Sequence, residues 1–307
     1  FSSLPFFVVM QNSSSLARRA RSAARDAGLG VLWYHVSHPQ HLATAAFRRA
    51  TALLRPLPDF LIIGANKCGT TSLHNYLNQH PRIREGIYKE VHFFDRYHRY
   101  ANGLSWYRSH FPIRTGDDAF LLGESTPEYL FNPAVPPRVA NVMPNARLIV
   151  LLRNPVDRAY SHYHHSKRVG REPLSFENAI DAEPSRLSGE LEAHVSNPTY
   201  DDQTYEHYSY LARGRYHEQI QRWMQHYDRD RMLILQSETL FEQPEATTHR
   251  AFDFLGLSAH PIHVERAFNT GGYRDAMDPD VRTRLRDYFA PHNESLFDFL
   301  GEEWDWS

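Results

Sequence analysis

The spacing of apolar residues changes at Pro58. Before it, Leu42, Ala45, Ala46, Ala50, Leu53 and Leu54 recur at helical intervals until Pro56 and Pro58 end the pattern, so residues 1–57 read as an N-terminal helical extension. Beyond it, short apolar runs alternate with amphipathic stretches. Strands are predicted at Phe60–Ile63, Val91–Phe94, Leu121–Gly123, Arg147–Leu152 and Met232–Leu235. The run RLIVLL at 147–152 is apolar enough for the centre of a parallel sheet, where a strand is covered on both faces. Helices are predicted over Thr71–Asn78, Pro155–Arg168, Tyr216–Tyr227, Pro244–Leu255 and Asp280–Phe289. The stretch Glu183–Gln203, broken by Pro184, Gly189 and Pro198, reads as an irregular excursion. This alternation predicts an α/β fold of P-loop type over residues 58–307: three layers, α/β/α, with a central parallel sheet flanked by helices.

Composition narrows the function classes. A chain of 307 residues, 41% hydrophobic, is long enough to bury a full core. Its 34 basic and 36 acidic side chains nearly cancel, which leaves no global field to recruit nucleic acid or an anionic membrane. An anionic ligand must therefore be held by a local site. The single cysteine, Cys68, has no partner for an internal disulfide, and a cytoplasmic setting is expected on that ground. The apolar run Leu4–Met10 contains Pro5 and is too short to span a bilayer, so no signal or transmembrane segment is expected. Of the 19 histidines, His162 and His165 share a helical face, with His164 between them. No third ligand at useful spacing and no cysteine pair accompanies them, so no metal site is expected.

The chemistry concentrates between the first strand and the helix after it. In Gly64-Ala65-Asn66-Lys67-Cys68-Gly69-Thr70-Thr71-Ser72, backbone N–H groups and the helix dipole converge on an anion. Lys67 adds a point charge, and Thr70, Thr71 and Ser72 add hydroxyl donors. The triphosphatase loop places lysine directly after its last glycine, before a magnesium-binding Ser or Thr; here Lys67 precedes Gly69 by two positions. The strand at 147–152 also runs into Arg153, where phosphoryl-transfer chemistry would want a metal-binding aspartate. An arginine there suits a metal-free site and a second phosphate, and Ser161, two helical turns on, reaches toward the same anion. Two anion sites imply a ligand phosphorylated at two places.

The KCGTTS loop, the later LLRNPVDRAYSHY and the GGYR segment together resemble the sulfotransferases that use 3′-phosphoadenosine-5′-phosphosulfate (PAPS). The likeness runs from about Pro58 to Trp306. It implies that Lys67, Cys68, Gly69, Thr70, Thr71 and Ser72 hold the 5′-phosphosulfate and that Arg153 and Ser161 hold the 3′-phosphate. It further implies that Gly271, Gly272, Tyr273 and Arg274 close over the 3′-phosphate and adenine, and that Tyr216 lies in the stretch next to the nucleotide. The spent donor would leave as 3′-phosphoadenosine-5′-phosphate (PAP).

Sulfuryl transfer also needs a base for the acceptor proton and a cation for the leaving oxygen. Lys67 serves the second need. For the first, Lys89-Glu90-Val91-His92-Phe93-Phe94-Asp95 combines a carboxylate and an imidazole, with Glu90, His92 and Phe94 on one face if the segment is a strand. The same segment, with GLSWYRSHFP after it, resembles the heparan sulfate sulfotransferases, which implies Glu90 as catalytic base and His92 as a catalytic or supporting residue. One departure stands out: Ser125 in Glu124-Ser125-Thr126-Pro127 occupies the place of a lysine in the heparan enzymes. A carbohydrate or other hydroxyl-bearing acceptor is expected, though not the heparan assignment unchanged. Glu124 is either a cleft residue or a brace for its loop, and Trp106, Tyr107 and Tyr129 line either an acceptor groove or the core. Two other readings remain at this point, a P-loop kinase and a non-catalytic nucleotide-binding module.

Overall fold

The computed structural model describes residues 39–115, 119–197, 199–200, 202–264 and 276–306. The chain divides after Leu53 into two units. In the first, helix α1 spans Pro39–Ala50 and realises the helical period expected there.

The second unit is built on five parallel strands: β1 (Phe60–Gly64), β2 (Ile83–Glu85), β3 (Leu121–Ser125), β4 (Arg147–Leu152) and β5 (Met232–Gln236). Their order is β2-β3-β1-β4-β5. All five residues of β1 are buried, and Leu148 through Leu152 are inaccessible to solvent, as a strand covered on both faces requires. The covering helices are α2 (Thr70–Leu77), α3 (Val135–Val142), α4 (Pro155–Arg168), α5 (Phe176–Arg186), α6 (Glu190–Ser196), α7 (Tyr216–Met224), α8 (Ser237–Glu242), α9 (Pro244–Phe254) and α10 (Pro279–Leu300). Leu73 and Leu77 of α2, Val139 of α3, Ile220 and Trp223 of α7 and Phe252 of α9 join the strands in one apolar core. Removing a buried ring such as Trp223 from that core costs about 3–5 kcal/mol. A second cluster locks α4 through Val156, Ala159, Tyr160 and Tyr163 onto Phe176 and Ile180 of α5 and Leu285 and Phe289 of α10. That packing makes α4 a rigid wall of the site.

The structure departs from the sequence expectation in three places. Val91–Phe94 is not a strand: Glu90 (φ 63°) and His92 (φ 51°) adopt left-handed backbone, and the strand paired to β3 is Ile83–Glu85. Val91, Phe93 and Phe94 are all buried, so the segment turns to hide consecutive apolar residues rather than alternating. Glu183–Gln203 is irregular only in part, because the end of α5 and all of α6 lie in it, with Gly189 at φ 79° marking the break between them. Helix α10 runs eleven residues past Phe289, through Pro291 to Leu300, since Leu296 still faces the core.

Candidate active site

Because the strands are parallel, the loops leaving their C-terminal ends gather on one edge of the sheet, and the order reverses direction around β1. The loop leaving β1 is tied down on three sides. Ala65 N donates to Leu151 O at 2.7 Å, Ser237 Oγ donates to Cys68 O at 2.7 Å, and Arg153 Nη1 reaches Lys67 O at 3.5 Å. Gly69 closes the loop at φ 85°, and a Cβ there would stand 2.8 Å from the Phe241 ring. Glycine is required on both counts.

A cavity of about 280 Å³ opens over this loop. Lys67, Gly69, Thr70, Thr71, Arg153 and Ser161 line it on the donor side, with Glu90 and His92 opposite. The loop motif, the arginine at the end of β4, the serine of α4 and the acidic-imidazole pair therefore face one space, although they are up to 94 positions apart in the chain. A larger groove of about 670 Å³, beside α10 and Trp304–Trp306, contains none of them. Chemistry rather than size selects the smaller cavity.

Its donor side is strongly positive. Burial, then Arg168, Arg158 and Arg153, push the Lys67 ammonium below its ordinary pKa, with Glu90 opposing. Arg158 is wholly buried, and its side chain's one hydrogen bond among the described residues goes from Nη2 to Tyr210 O; Nε and Nη1 have no partner there. Cations crowded together at this density destabilise one another until an anion enters.

On the opposite wall the carboxylate and imidazole form a charged chain. His92 Nδ1 lies 2.6 Å from Asp95 Oδ2, its Nε2 lies 3.7 Å from Glu90 Oε2, and Lys89 Nζ donates to Glu90 Oε1 at 2.6 Å. Burial opposes ionisation of Glu90, but the neighbouring His92 imidazole and the Lys89 ammonium outweigh it and hold the carboxyl at about 2. Burial likewise opposes protonation of His92, and Asp95 and Glu90 overcome it, raising the imidazole to about 10. The acceptor wall thus holds an imidazolium between the Glu90 and Asp95 side chains.

Several expected residues lie near the cavity without lining it. Cys68 is fully buried, its thiol pushed up to about 11 chiefly by burial, so only its backbone serves the loop. Ser72 is buried, and its Oγ finds no partner among the described residues. Tyr216 is buried as well; its hydroxyl donates to Arg153 O at 2.9 Å and braces that residue from behind. Gly271, Gly272, Tyr273 and Arg274 lie outside the described residues. Glu124 is a brace rather than a cleft residue: Tyr107 Oη donates to its Oε2 at 2.8 Å, Thr126 Oγ1 donates to its Oε1, and burial raises its carboxyl to about 7. Tyr107 and Tyr129 are core residues with no exposed surface, whereas Trp106 is partly buried against the same core.

Other lining residues escaped the sequence reading. His165 and Arg168 follow Ser161 at helical spacing on α4, a legible signal, whereas Phe241 of α8 and Glu128 had none. His162 instead turns inward against the Tyr210 ring, 4.9 Å away. Among the described residues no three His, Cys, Asp or Glu side chains converge as metal ligands would.

Residues 57–272 match the family described as the sulfotransferase domain. The chain belongs to the sulfotransferase family. This sulfotransferase is 30% identical to human heparan sulfate glucosamine 3-O-sulfotransferase 3B1, over 82% of this chain and 65% of that protein. It is 29% identical to the membrane-associated sulfotransferase kil1 of Dictyostelium discoideum, over 81% of this chain and 66% of that protein. It is 30% identical to the human bifunctional heparan sulfate N-deacetylase/N-sulfotransferase 3, over 80% of this chain and 30% of that protein. The sulfotransferase chain thus spans just under two thirds of the first two proteins and under a third of the last. A sulfotransferase from Alicyclobacillus acidocaldarius superposes with a TM-score of 0.64 at 28% identity, covering 82% of this chain and 99% of that one. The α/β fold with a central parallel sheet, expected from the strand and helix pattern, is the observed one, and the sulfotransferase family implied by the motif resemblance is the one that matches.

Proposed function

We propose that this chain transfers a sulfuryl group from PAPS to a hydroxyl or amine of a carbohydrate acceptor by metal-free in-line displacement. The observation that carries the reading is the single cavity in which a cation-rich phosphate loop, Arg153 and Ser161 face Glu90 and His92. Lys67 and the first turn of α2 receive the 5′-phosphosulfate, and Arg153 with Ser161 receives the 3′-phosphate. The segment Gly271–Arg274 completes the nucleotide site on the strength of its resemblance. As the acceptor oxygen bonds to sulfur, the bond from sulfur to the bridging oxygen breaks, its electron pair staying on that oxygen beside the Lys67 ammonium. The acceptor proton passes to Glu90. A carboxylate as weakly basic as Glu90 suffices because the attacking oxygen becomes strongly acidic once its bond to sulfur has formed. His92, fixed by Asp95, supports the carboxylate.

Arg153 argues for a mechanism without metal, since it occupies the strand end where a kinase would hold a metal-binding carboxylate. The carbohydrate acceptor is supported by the names of the heparan sulfate relatives, and PAP is the product. Residues 1–57 are proposed as an extension preceding a catalytic domain at 58–307. No helix among the described residues is long and apolar enough to cross a membrane. The cytoplasmic setting rests on the lone cysteine, and cell fractionation tests it against the membrane association of the Dictyostelium relative. The functional test is labelled PAPS offered with a panel of polysaccharides, oligosaccharides, lipids and phenols. Label on carbohydrate is expected; label confined to phenols or lipids contradicts the acceptor class, and magnesium-dependent ATP consumption without sulfation contradicts the reaction.

A further inference from the structure

Lys89 has no part in the chemistry above and does not line the cavity, yet it joins the cavity's two walls. Its Nζ donates to Thr71 Oγ1 at 3.2 Å and to Glu90 Oε1 at 2.6 Å, with only 19% of its side chain exposed. Thr71 belongs to the first turn of α2, the donor wall, and Glu90 to the opposite wall. The Glu90 backbone is already fixed, by a left-handed φ of 63° and by its N–H donating to Ser125 O at 3.0 Å. Its carboxylate is held more loosely: 44% of the side chain is exposed, and besides Lys89 its charged neighbour among the described residues is His92, 3.7 Å away. The ammonium of Lys89 is what orders it. Ser125, where the heparan enzymes resemble this chain but carry lysine, is fully buried and points no group into the cavity. Lys89 stands one residue from that strand end's partner, since Glu90 N donates to the Ser125 carbonyl.

We infer that Lys89 is a positioning residue for sulfuryl transfer, registering the Glu90 carboxylate against the phosphate loop through one ammonium shared with Thr71. The inference rests on the PAPS reading of the site. A base displaced by about 1 Å costs on the order of 100-fold in rate, whereas donor affinity, set by the loop and Arg153, is untouched by that displacement. The effect therefore separates turnover from binding.

The test compares wild type, K89M and K89R by calorimetry with PAP and by PAP released from PAPS, with desulfated heparin as acceptor and with water alone. K89M is expected to release PAP about 100-fold more slowly while binding PAP within about 3-fold of wild type, and K89R to recover most of the rate. Turnover of K89M within about 3-fold of wild type overturns the inference, as does a loss of PAP affinity parallel to the loss of rate, or no recovery in K89R. A wild-type chain that releases no PAP from PAPS with any acceptor of the polysaccharide, oligosaccharide, lipid and phenol panel defeats the catalytic reading itself, and this inference with it.

Discussion

Replacing Asp95 by Asn tests the electrostatics of the acceptor wall. The Asp95 side chain has no exposed surface and accepts from His92 Nδ1 at 2.6 Å, with Arg96 Nε at 3.7 Å from the same oxygen. Burial alone would lower the His92 imidazole; Asp95, then Glu90, raise it from 6.5 to about 10, with Arg96 opposing. A group whose folded pKa lies above its unfolded value stabilises the fold fully below the unfolded pKa and loses that contribution as pH rises through the folded one. The window here runs from about 6.5 to about 10. At 1.36 kcal/mol per pH unit, His92 contributes at most about 4 kcal/mol near pH 7 and almost nothing above its folded pKa. Because Glu90 supplies part of that shift, the D95N variant should melt below wild type near neutrality by up to about 16 °C, taking about 2–4 °C per kcal/mol for a domain of this size. The pH-dependent part of that gap should close by about pH 10, leaving only the constant contribution of the lost Arg96 pair. Scanning calorimetry across this range measures the gap, and histidine NMR follows His92 directly. A melting gap independent of pH, or a wild-type His92 that titrates near its ordinary value, refutes the reasoning.

Three further outcomes follow from the geometry. The E90Q variant should lose about 100-fold or more in turnover while PAP affinity stays within a few-fold, as a base acting only in the transition state requires; steady-state kinetics beside calorimetry checks this, and equal losses indicate a structural role. The R153A variant should bind PAP more weakly yet bind adenosine-5′-phosphosulfate, which lacks the 3′-phosphate, as wild type does; equal weakening of both ligands removes Arg153 from the 3′-phosphate site. The G69A variant places a methyl group 2.8 Å from the Phe241 ring at a backbone φ of 85°, and should destabilise the fold by at least about 1 kcal/mol in denaturant titration.

The sheet was legible because β1, β4 and β5 are nearly continuous apolar runs and β3 opens on Leu121-Leu122-Gly123, and Pro155–Arg168 was legible to the residue because Asn154 caps it, accepting from Val156 N, with proline following. The strand Ile83–Glu85 was not, since its two charged residues are exposed and only Ile83 is buried. The segment from Glu90 to Phe94 mimics a strand in sequence, but its conformation is set by docking onto the end of β3, a tertiary contact that no local pattern encodes. In the site, residues adjacent in the loop or repeated along α4 could be found from spacing. Phe241 could not, because its part comes from its distance to Gly69, an element remote in sequence, and Asp95 and Lys89 could not because a left-handed turn at Glu90 and His92, rather than a strand, sets how they meet their neighbours.

The central claim is that the loop at Lys67 receives a phosphosulfate rather than a triphosphate. Its most direct test is transfer from labelled PAPS by wild type and K67A, run beside ATP hydrolysis with magnesium. The account predicts transfer by wild type without added metal, its loss in a K67A variant that melts like wild type, and no ATP hydrolysis by either. Undiminished transfer by K67A, or magnesium-dependent ATP turnover that K67A abolishes, would contradict it.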